Sequence, residues 1–227
     1  VIGQPAISGN LVVVRTEDGR LYGLDSASGD KRWTYDQGTV PLLSLRGYGR
    51  LLVANGVVFY GSDNGKLVAL RLDTGDKLWE QNLSSGEGRT EIDRLNDADG
   101  AILLEGSTLY GSAFHGNLVA VDGPSGRPLW THPFSTFTSL DIAGNALYGV
   151  GDDSQVWAFD KSGGADMWKN ASLKYRWLSG PAVQGNYLVV GDLEGYVHWL
   201  QTSDGALAAR ERLSKKPIRA QPLVVND

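Results

Sequence analysis

Hydrophobic residues fall in short runs that recur along the chain, each bounded by Gly, Asn or Asp. One set reads LVVV from Leu11, VVFY from Val57, TLYG from Thr108, ALYG from Ala146 and YLVV from Tyr187. Each run follows at once on a Gly/Asn-type pair: Gly9-Asn10, Asn55-Gly56, Gly106-Ser107, Gly144-Asn145 and Gly185-Asn186. A second set reads LYGLD from Leu21, LVALR from Leu67, LVAVD from Leu118, VWAFD from Val156 and VHWLQ from Val197. Helical spacing never persists for ten residues. Runs rich in Val, Leu, Tyr and Phe between turn-forming residues predict strands joined by tight turns.

The runs belong to a repeat anchored on Trp33, Trp79, Trp130 and Trp168, each with a glycine four residues before it, at Gly29, Gly75, Gly126 and Gly164. A fifth copy has Gly205 in the glycine slot and Ala209 in place of the tryptophan. Each copy predicts four strands: an inner strand, two apolar strands, and a last strand carrying the tryptophan. Four-stranded units at spacings of 38 to 51 residues predict an all-β fold, a β-propeller of four-stranded antiparallel blades. One twisted sheet cannot cover both of its faces, and blade-on-blade packing does so. The predicted organisation is a single propeller region over 1–227. Its repeats lie at about 4–38, 39–84, 85–135, 136–175 and 176–214, and the first strand of a further repeat lies at 218–227. Five repeats and one strand are expected to be an arc of a larger propeller, the alternative being a five-bladed ring closed by the last strand.

The four tryptophans are predicted to dock one blade on the next, because a large flat ring at a fixed slot fills the gap between sheets. The repeat glycines read as turn residues with positive φ, and Asp25, Asp122 and Asp160 as acceptors for the backbone of their own turns.

The connections from last strand to next inner strand differ in length. Trp130 to Gly144 is 14 residues and Trp168 to Gly185 is 17, whereas Trp33 to Asn55 is 22 and Trp79 to Gly106 is 27. With alternating strand direction, all these connections lie on one face, so the two long ones form a joint surface. The first carries Leu43, Leu45 and Arg46; the second carries Asp97 and Asp99. Apolar anchors beside an arginine and a carboxylate pair suit a protein-binding surface. The same residues also suit a local strut in which the leucines tuck under the loop and Arg46 pairs with Asp97 or Asp99.

Composition narrows the chemistry. The formal charge is −5 and the longest basic cluster is Lys215-Lys216-Pro217-Ile218-Arg219, so no nucleic-acid footprint is expected. The chain has no cysteine, which removes disulfides and thiolate metal sites, and no run of apolar residues is long enough to span a membrane. His115, His132 and His198 occupy unrelated slots without zinc-ligand spacing. The stretch NDADG from Asn96 misses the calcium-loop pattern, because Gly106 stands where a bidentate Glu is required. Neither a nucleophile elbow nor a phosphate-binding loop is present. No metal, cofactor or catalytic set is predicted, and the chain is not expected to be an enzyme.

The segments LRLDTGDKLW and LDSASGDKRW resemble the D-x-x-x-G-x-x-x-W repeat of quinoprotein-type propellers. LSLRG from Leu43, TEIDRLNDAD from Thr90 and VVGDLEGYVHWL from Val189 together resemble the BamB family. That resemblance implies an eight-bladed, non-enzymatic scaffold on the periplasmic face of the bacterial outer membrane. It implies a lipidated N-terminal cysteine, an anchor absent from this chain. It also implies binding to BamA through its POTRA domains, with Leu43, Leu45, Arg46, Asp97 and Asp99 in contact, and unfolded outer-membrane proteins as a further class of partner. The alternatives are a quinone-cofactor dehydrogenase-like propeller and an interaction propeller of another envelope pathway.

Overall fold

The computed structural model describes residues 2–38, 50–83 and 102–225. These form twenty strands in five four-stranded sheets, each built in chain order from inner to outer strand. The first sheet holds β1 (Ile2–Ser8), β2 (Leu11–Arg15), β3 (Leu21–Asp25) and β4 (Lys31–Tyr35). The second holds β5 (Leu52–Ala54), β6 (Val57–Gly61), β7 (Lys66–Arg71) and β8 (Lys77–Asn82). The third holds β9 (Ile102–Glu105), β10 (Thr108–Ser112), β11 (Asn117–Asp122) and β12 (Pro128–Pro133). The fourth holds β13 (Asp141–Ala143), β14 (Ala146–Val150), β15 (Val156–Asp160) and β16 (Asp166–Asn170). The fifth holds β17 (Ala182–Gln184), β18 (Tyr187–Gly191), β19 (Tyr196–Gln201) and β20 (Leu207–Arg212). The five sheets are the propeller blades that the repeat predicts. They fall into two compact units, 1–137 with three sheets and 138–227 with two.

Local sequence explains the hairpins. Ala54 pairs with Val57 across a two-residue turn in which Asn55 and Gly56 both take positive φ, 51° and 75°. That is the conformation whose twist matches a right-handed hairpin. Packing explains the composition of the middle strands. Within 1–137, Val13, Leu21, Trp33, Val58, Tyr60 and Leu70 form one core, while Phe59, Leu67, Leu83, Ile102 and Leu109 form another. Val58 and Tyr60 face one core and Phe59 the other, so β6 is covered on both sides and its run is continuously apolar. Within 138–227, Tyr148, Val150, Val156, Leu188, Val190 and Leu200 form the core between the two sheets.

The tryptophan slots show how neighbouring sheets meet. Trp33 Nε1 donates to the Leu72 carbonyl at 2.8 Å, Trp79 Nε1 to Gly123 at 2.9 Å and Trp168 Nε1 to Thr202 at 2.9 Å. Each acceptor is the residue after the Asp slot of the next repeat. Each indole also lies over that repeat's motif glycine: Trp33 over Gly75, Trp79 over Gly126 and Trp168 over Gly205. Trp130 packs on Tyr110 of its own sheet, ring centroids 5.9 Å apart. For Trp33, Trp79 and Trp168 the motif is a lock between repeats: the tryptophan of one repeat lies on the glycine turn of the next.

The Asp slots cap their own turns. Asp25 Oδ1 accepts the N–H groups of Ala27 and Ser28, each at 3.0 Å, and Asp25 Oδ2 accepts from Arg32 at 2.6 Å. The Arg32 guanidinium, with the Ser28 and Ala27 N–H groups, pulls the Asp25 carboxyl from 3.8 to about 2. A depressed carboxyl contributes stability above its unfolded value and loses it as pH falls through the folded one. Asp25 therefore contributes to the loss of stability between about pH 4 and pH 2. Asp25→Asn is expected to lower the thermal midpoint at pH 7 and to flatten its fall in that acid window. A pH series of melting curves on both proteins checks this.

Of the segment 218–227, expected to open a further repeat, the described residues 218–225 pair with no second strand. In every sheet the inner strand is hydrogen-bonded by the second strand of its own repeat, and no such partner pairs with them here. The segment instead runs back over the fifth sheet. The Ile218 N–H donates to the Asp192 carbonyl at 2.9 Å, and Gln221 Nε2 donates to the Pro181 carbonyl at 2.6 Å.

Candidate functional site

The face bearing the second-to-third-strand turns and the connections between repeats is where loop length varies, so the candidate site is built there. In 1–137 both long connections start and end at fixed points. The first leaves β4 through Asp36, whose carboxylate accepts the Gly38 N–H at 2.9 Å and Arg20 Nε at 2.9 Å. These two contacts, the Gly38 N–H foremost, hold the Asp36 carboxyl below its ordinary value. The connection returns at Arg50, whose Nε donates to Gln4 Oε1 at 3.1 Å, and at Leu51, which packs against the first core.

The second long connection leaves β8 at Leu83, which is buried. The Leu83 N–H donates to the Gly65 carbonyl at 2.8 Å, and its own carbonyl accepts the Asn117 N–H at 2.9 Å. It returns at Ile102, also buried and in the same core as Leu83. Tyr35 pairs with Leu21, and Asn82 with Lys66. Both connections therefore leave beside the turns 16–20 and 62–65, on the same side of their sheets. Leu43, Leu45, Arg46, Asp97 and Asp99 lie outside the described residues.

Each unit holds a buried ionic cluster beside a turn between the second and third strands of a sheet, and neither stood out in the sequence. Arg15, at the end of β2, donates through Nη2 to Asp63 Oδ1 at 2.8 Å and through Nη1 to the Gly61 carbonyl at 3.2 Å. The two side chains are 2% and 4% exposed, so the pair ties the first sheet to the second from inside. Asp63 reads in sequence as one more turn residue of Asp63-Asn64-Gly65. Only the approach of Arg15, 48 positions away, makes it a tie.

The second cluster stands in 138–227. Asp192 is fully buried and accepts from His198 Nε2 at 2.8 Å, from Arg176 Nε at 2.8 Å, and from the N–H groups of Glu194 and Tyr196 at 2.9 Å each. Arg176 lies in the connection from β16 to β17 and also pairs with Glu194 at 2.8 Å. Burial pushes the Asp192 carboxyl up. The contacts from His198, the Tyr196 N–H and Arg176 outweigh burial, and the group sits below its ordinary value. The cluster pins a connection to a turn, with Asp192 and His198 buried and Glu194 at its exposed rim.

Within 1–137 the Arg15–Asp63 tie stands beside the turn from which the second long connection leaves, and a connection with fixed ends suits recognition of a surface. The family described as "Outer membrane protein assembly factor BamB" matches residues 1–170 and 158–227. An "Outer membrane protein assembly factor BamB" of Xanthomonas campestris is 48% identical over 186 residues, 82% of this chain and 46% of that protein. Another, of Shewanella oneidensis, is 35% identical over 227 residues, all of this chain and 57% of that protein. The chain thus spans about half the length of these curated relatives. Among solved structures, BamB from Moraxella catarrhalis superposes with a TM-score of 0.90 at 32% identity, over 97% of this chain and 66% of that one. A quinohemoprotein alcohol dehydrogenase from Comamonas testosteroni reaches a TM-score of 0.71 at 16% identity, a likeness of fold alone. With the repeat, the five sheets and full-length similarity in agreement, the chain belongs to the BamB family of outer-membrane protein assembly factors.

Proposed function

We propose that this chain is part of a non-enzymatic scaffold on the periplasmic face of the outer membrane that docks on the POTRA domains of BamA through its two long connections. Unfolded outer-membrane proteins are a further class of partner. The observation that carries this reading is the pairing of the connections. They leave adjacent repeats on one side, from ends fixed by Asp36, Arg50, Leu83 and Ile102. Fixed ends lower the ordering cost of binding. Leu43 and Leu45 supply apolar anchors, while Arg46 with Asp97 and Asp99 sets orientation through charge-assisted hydrogen bonds.

The test is capture of the complete gene product by immobilised POTRA domains. Leu45→Asp and Arg46→Ala are each expected to weaken capture by roughly 30-fold or more, the size of a hot-spot residue. Both should leave the thermal midpoint in place. Asp97→Ala with Asp99→Ala is expected to weaken capture without unfolding. Unchanged capture in all three overturns the docking surface, and a lowered midpoint in place of lost capture assigns these residues to a strut.

A further inference from the structure

The docking connections make no use of a cationic stretch that begins on β20. Within 210–219, Arg210, Arg212, Lys215, Lys216 and Arg219 are basic and Glu211 alone is acidic, in a chain of net charge −5. The fold gathers this charge on one aromatic ring. Arg210 and Arg212 stand over the Tyr196 ring of β19, 5.7 and 5.4 Å from its centroid, and Arg176 stands 5.7 Å from it. Arg210 pairs with His198 and Arg212 with Tyr196, on the face that turns Leu200 into the core shared with the fourth sheet. The cluster is thus built entirely within 138–227. Arg176 is balanced by Asp192 and Glu194. Arg210 and Arg212 are exposed, and among the described residues neither has a carboxylate partner. Guanidinium groups crowded on one ring repel one another, so the cluster favours an anion from outside. The chain then folds back on the same end of the sheet. The Leu213 N–H donates to the Gly195 carbonyl at 3.0 Å, which sets the exposed Lys215 and Lys216 beside the turn from β18 to β19.

Aromatic side chains stand beside the cations. Tyr175 and Trp177 flank Arg176 in the chain and are 74% and 63% exposed. Both take positive φ, 61° and 52°, a conformation that is costly for a bulky residue. Their surroundings hold it. Arg176 is drawn into the Asp192 cluster, the Tyr175 N–H donates to the Asp153 carbonyl at 2.8 Å, and the Leu193 N–H donates to the Arg176 carbonyl at 3.0 Å. Leu193 and Leu213 are exposed as well. Side chains this exposed stand out from the surface rather than lining a cleft.

We propose that this patch rests on an anionic phospholipid surface, with its arginines and lysines on the headgroup phosphates and Tyr175 and Trp177 at the level of the interface. Two observations name the occupant. The charge of the patch is opposite to that of the chain as a whole, so it suits an anionic partner. Tryptophan and tyrosine beside lysine and arginine are the residues that settle at a membrane–water boundary, and a fluid surface needs no cleft to receive it. The patch shares no residue with the docking connections, so the two surfaces are tested apart.

The test is co-sedimentation of the complete gene product, made without lipid modification, with vesicles of phosphatidylethanolamine and phosphatidylglycerol. Vesicles of phosphatidylethanolamine and phosphatidylcholine are the comparison. Binding is expected to the anionic vesicles alone and falls as salt rises. Arg210→Gln with Arg212→Gln is expected to lower the partition coefficient about 30-fold. Lys31→Gln with Arg127→Gln removes the same charge from exposed positions elsewhere and leaves it nearly unchanged. Trp177→Ser is expected to lower it about 10-fold. Arg210→Lys with Arg212→Lys keeps the charge and the binding, which separates charge from any effect of the glutamines on folding. Equal binding to both kinds of vesicle, equal loss in the two glutamine pairs, or full binding by Trp177→Ser overturns the proposal. Absence of vesicle binding also overturns it. Calorimetry with inorganic phosphate and with a glutamate-rich peptide then assigns the patch to a small anion or to an acidic protein segment.

Discussion

Gly75→Ala is expected to destabilise the protein by about 3 to 5 kcal/mol, while Gly56→Ala costs about 1 kcal/mol. The two glycines share a φ of 75°, so the backbone strain of an added Cβ is the same at both. Their surroundings differ. A Cβ at Gly56 meets nothing within 4 Å, whereas at Gly75 it meets Trp33 Cε3 at 2.6 Å. Trp33 is 7% exposed and belongs to the core between the first two sheets. Moving its ring breaks the hydrogen bond to the Leu72 carbonyl and opens a void, losses on the scale of truncating a buried aromatic residue. Thermal melts of both variants separate the effects, with the midpoint falling by roughly 10 °C at Gly75 and by a few degrees at Gly56. Similar midpoints would mean that the glycine is needed for its turn and has no part in the lock.

Asp192→Ala is expected to cost about 3 to 5 kcal/mol, because removing one member of a buried ionic cluster leaves its partners unsolvated and unpaired. His198 is fully buried and loses its Nε2 partner, and the Glu194 and Tyr196 N–H groups lose their acceptor. Glu194→Ala is the control. Its side chain is 63% exposed, so its contact with Arg176 is worth at most about 1 kcal/mol. The Asp192 carboxyl lies below its ordinary value, so its contribution is present above the unfolded carboxylate pKa near 4 and fades as pH falls below it. Denaturant melts at pH 7 and near pH 3 are expected to show a larger gap between wild type and Asp192→Ala at pH 7. A gap that does not shrink at low pH would assign the effect to packing.

The turns were legible in the sequence because their causes are local. Asn55-Gly56 permits positive φ at both turn positions, and Asp25, Asp122 and Asp160 each cap a turn two or three residues away. Ala209 marks the missing tryptophan in the sequence, but only the pairing of β19 with β20 sets Trp199 opposite it. Asp63 and Asp192 were not distinguishable from other turn acids, since their partners Arg15 and Arg176 arrive from 48 and 16 positions away. The candidate site was legible as two unusually long connections. The anchoring of their ends by Leu83, Ile102 and Asp36 required the packed structure.

The sequence by itself determined the unit: four strands, a two-residue hairpin, a glycine turn and a tryptophan, each dictated by backbone sterics and alternation within a few residues. Tertiary structure decided how units address one another. The indole of one repeat finds a carbonyl and a bare Cα in the next, and Arg15 and Arg176 each reach a buried acid, Asp63 and Asp192, among many acids in equivalent turns. The reason is physical. Backbone preferences act over a few residues, whereas desolvation and close packing act on whatever the fold brings within a few ångströms, and only there does an ordinary turn carboxylate become a structural tie.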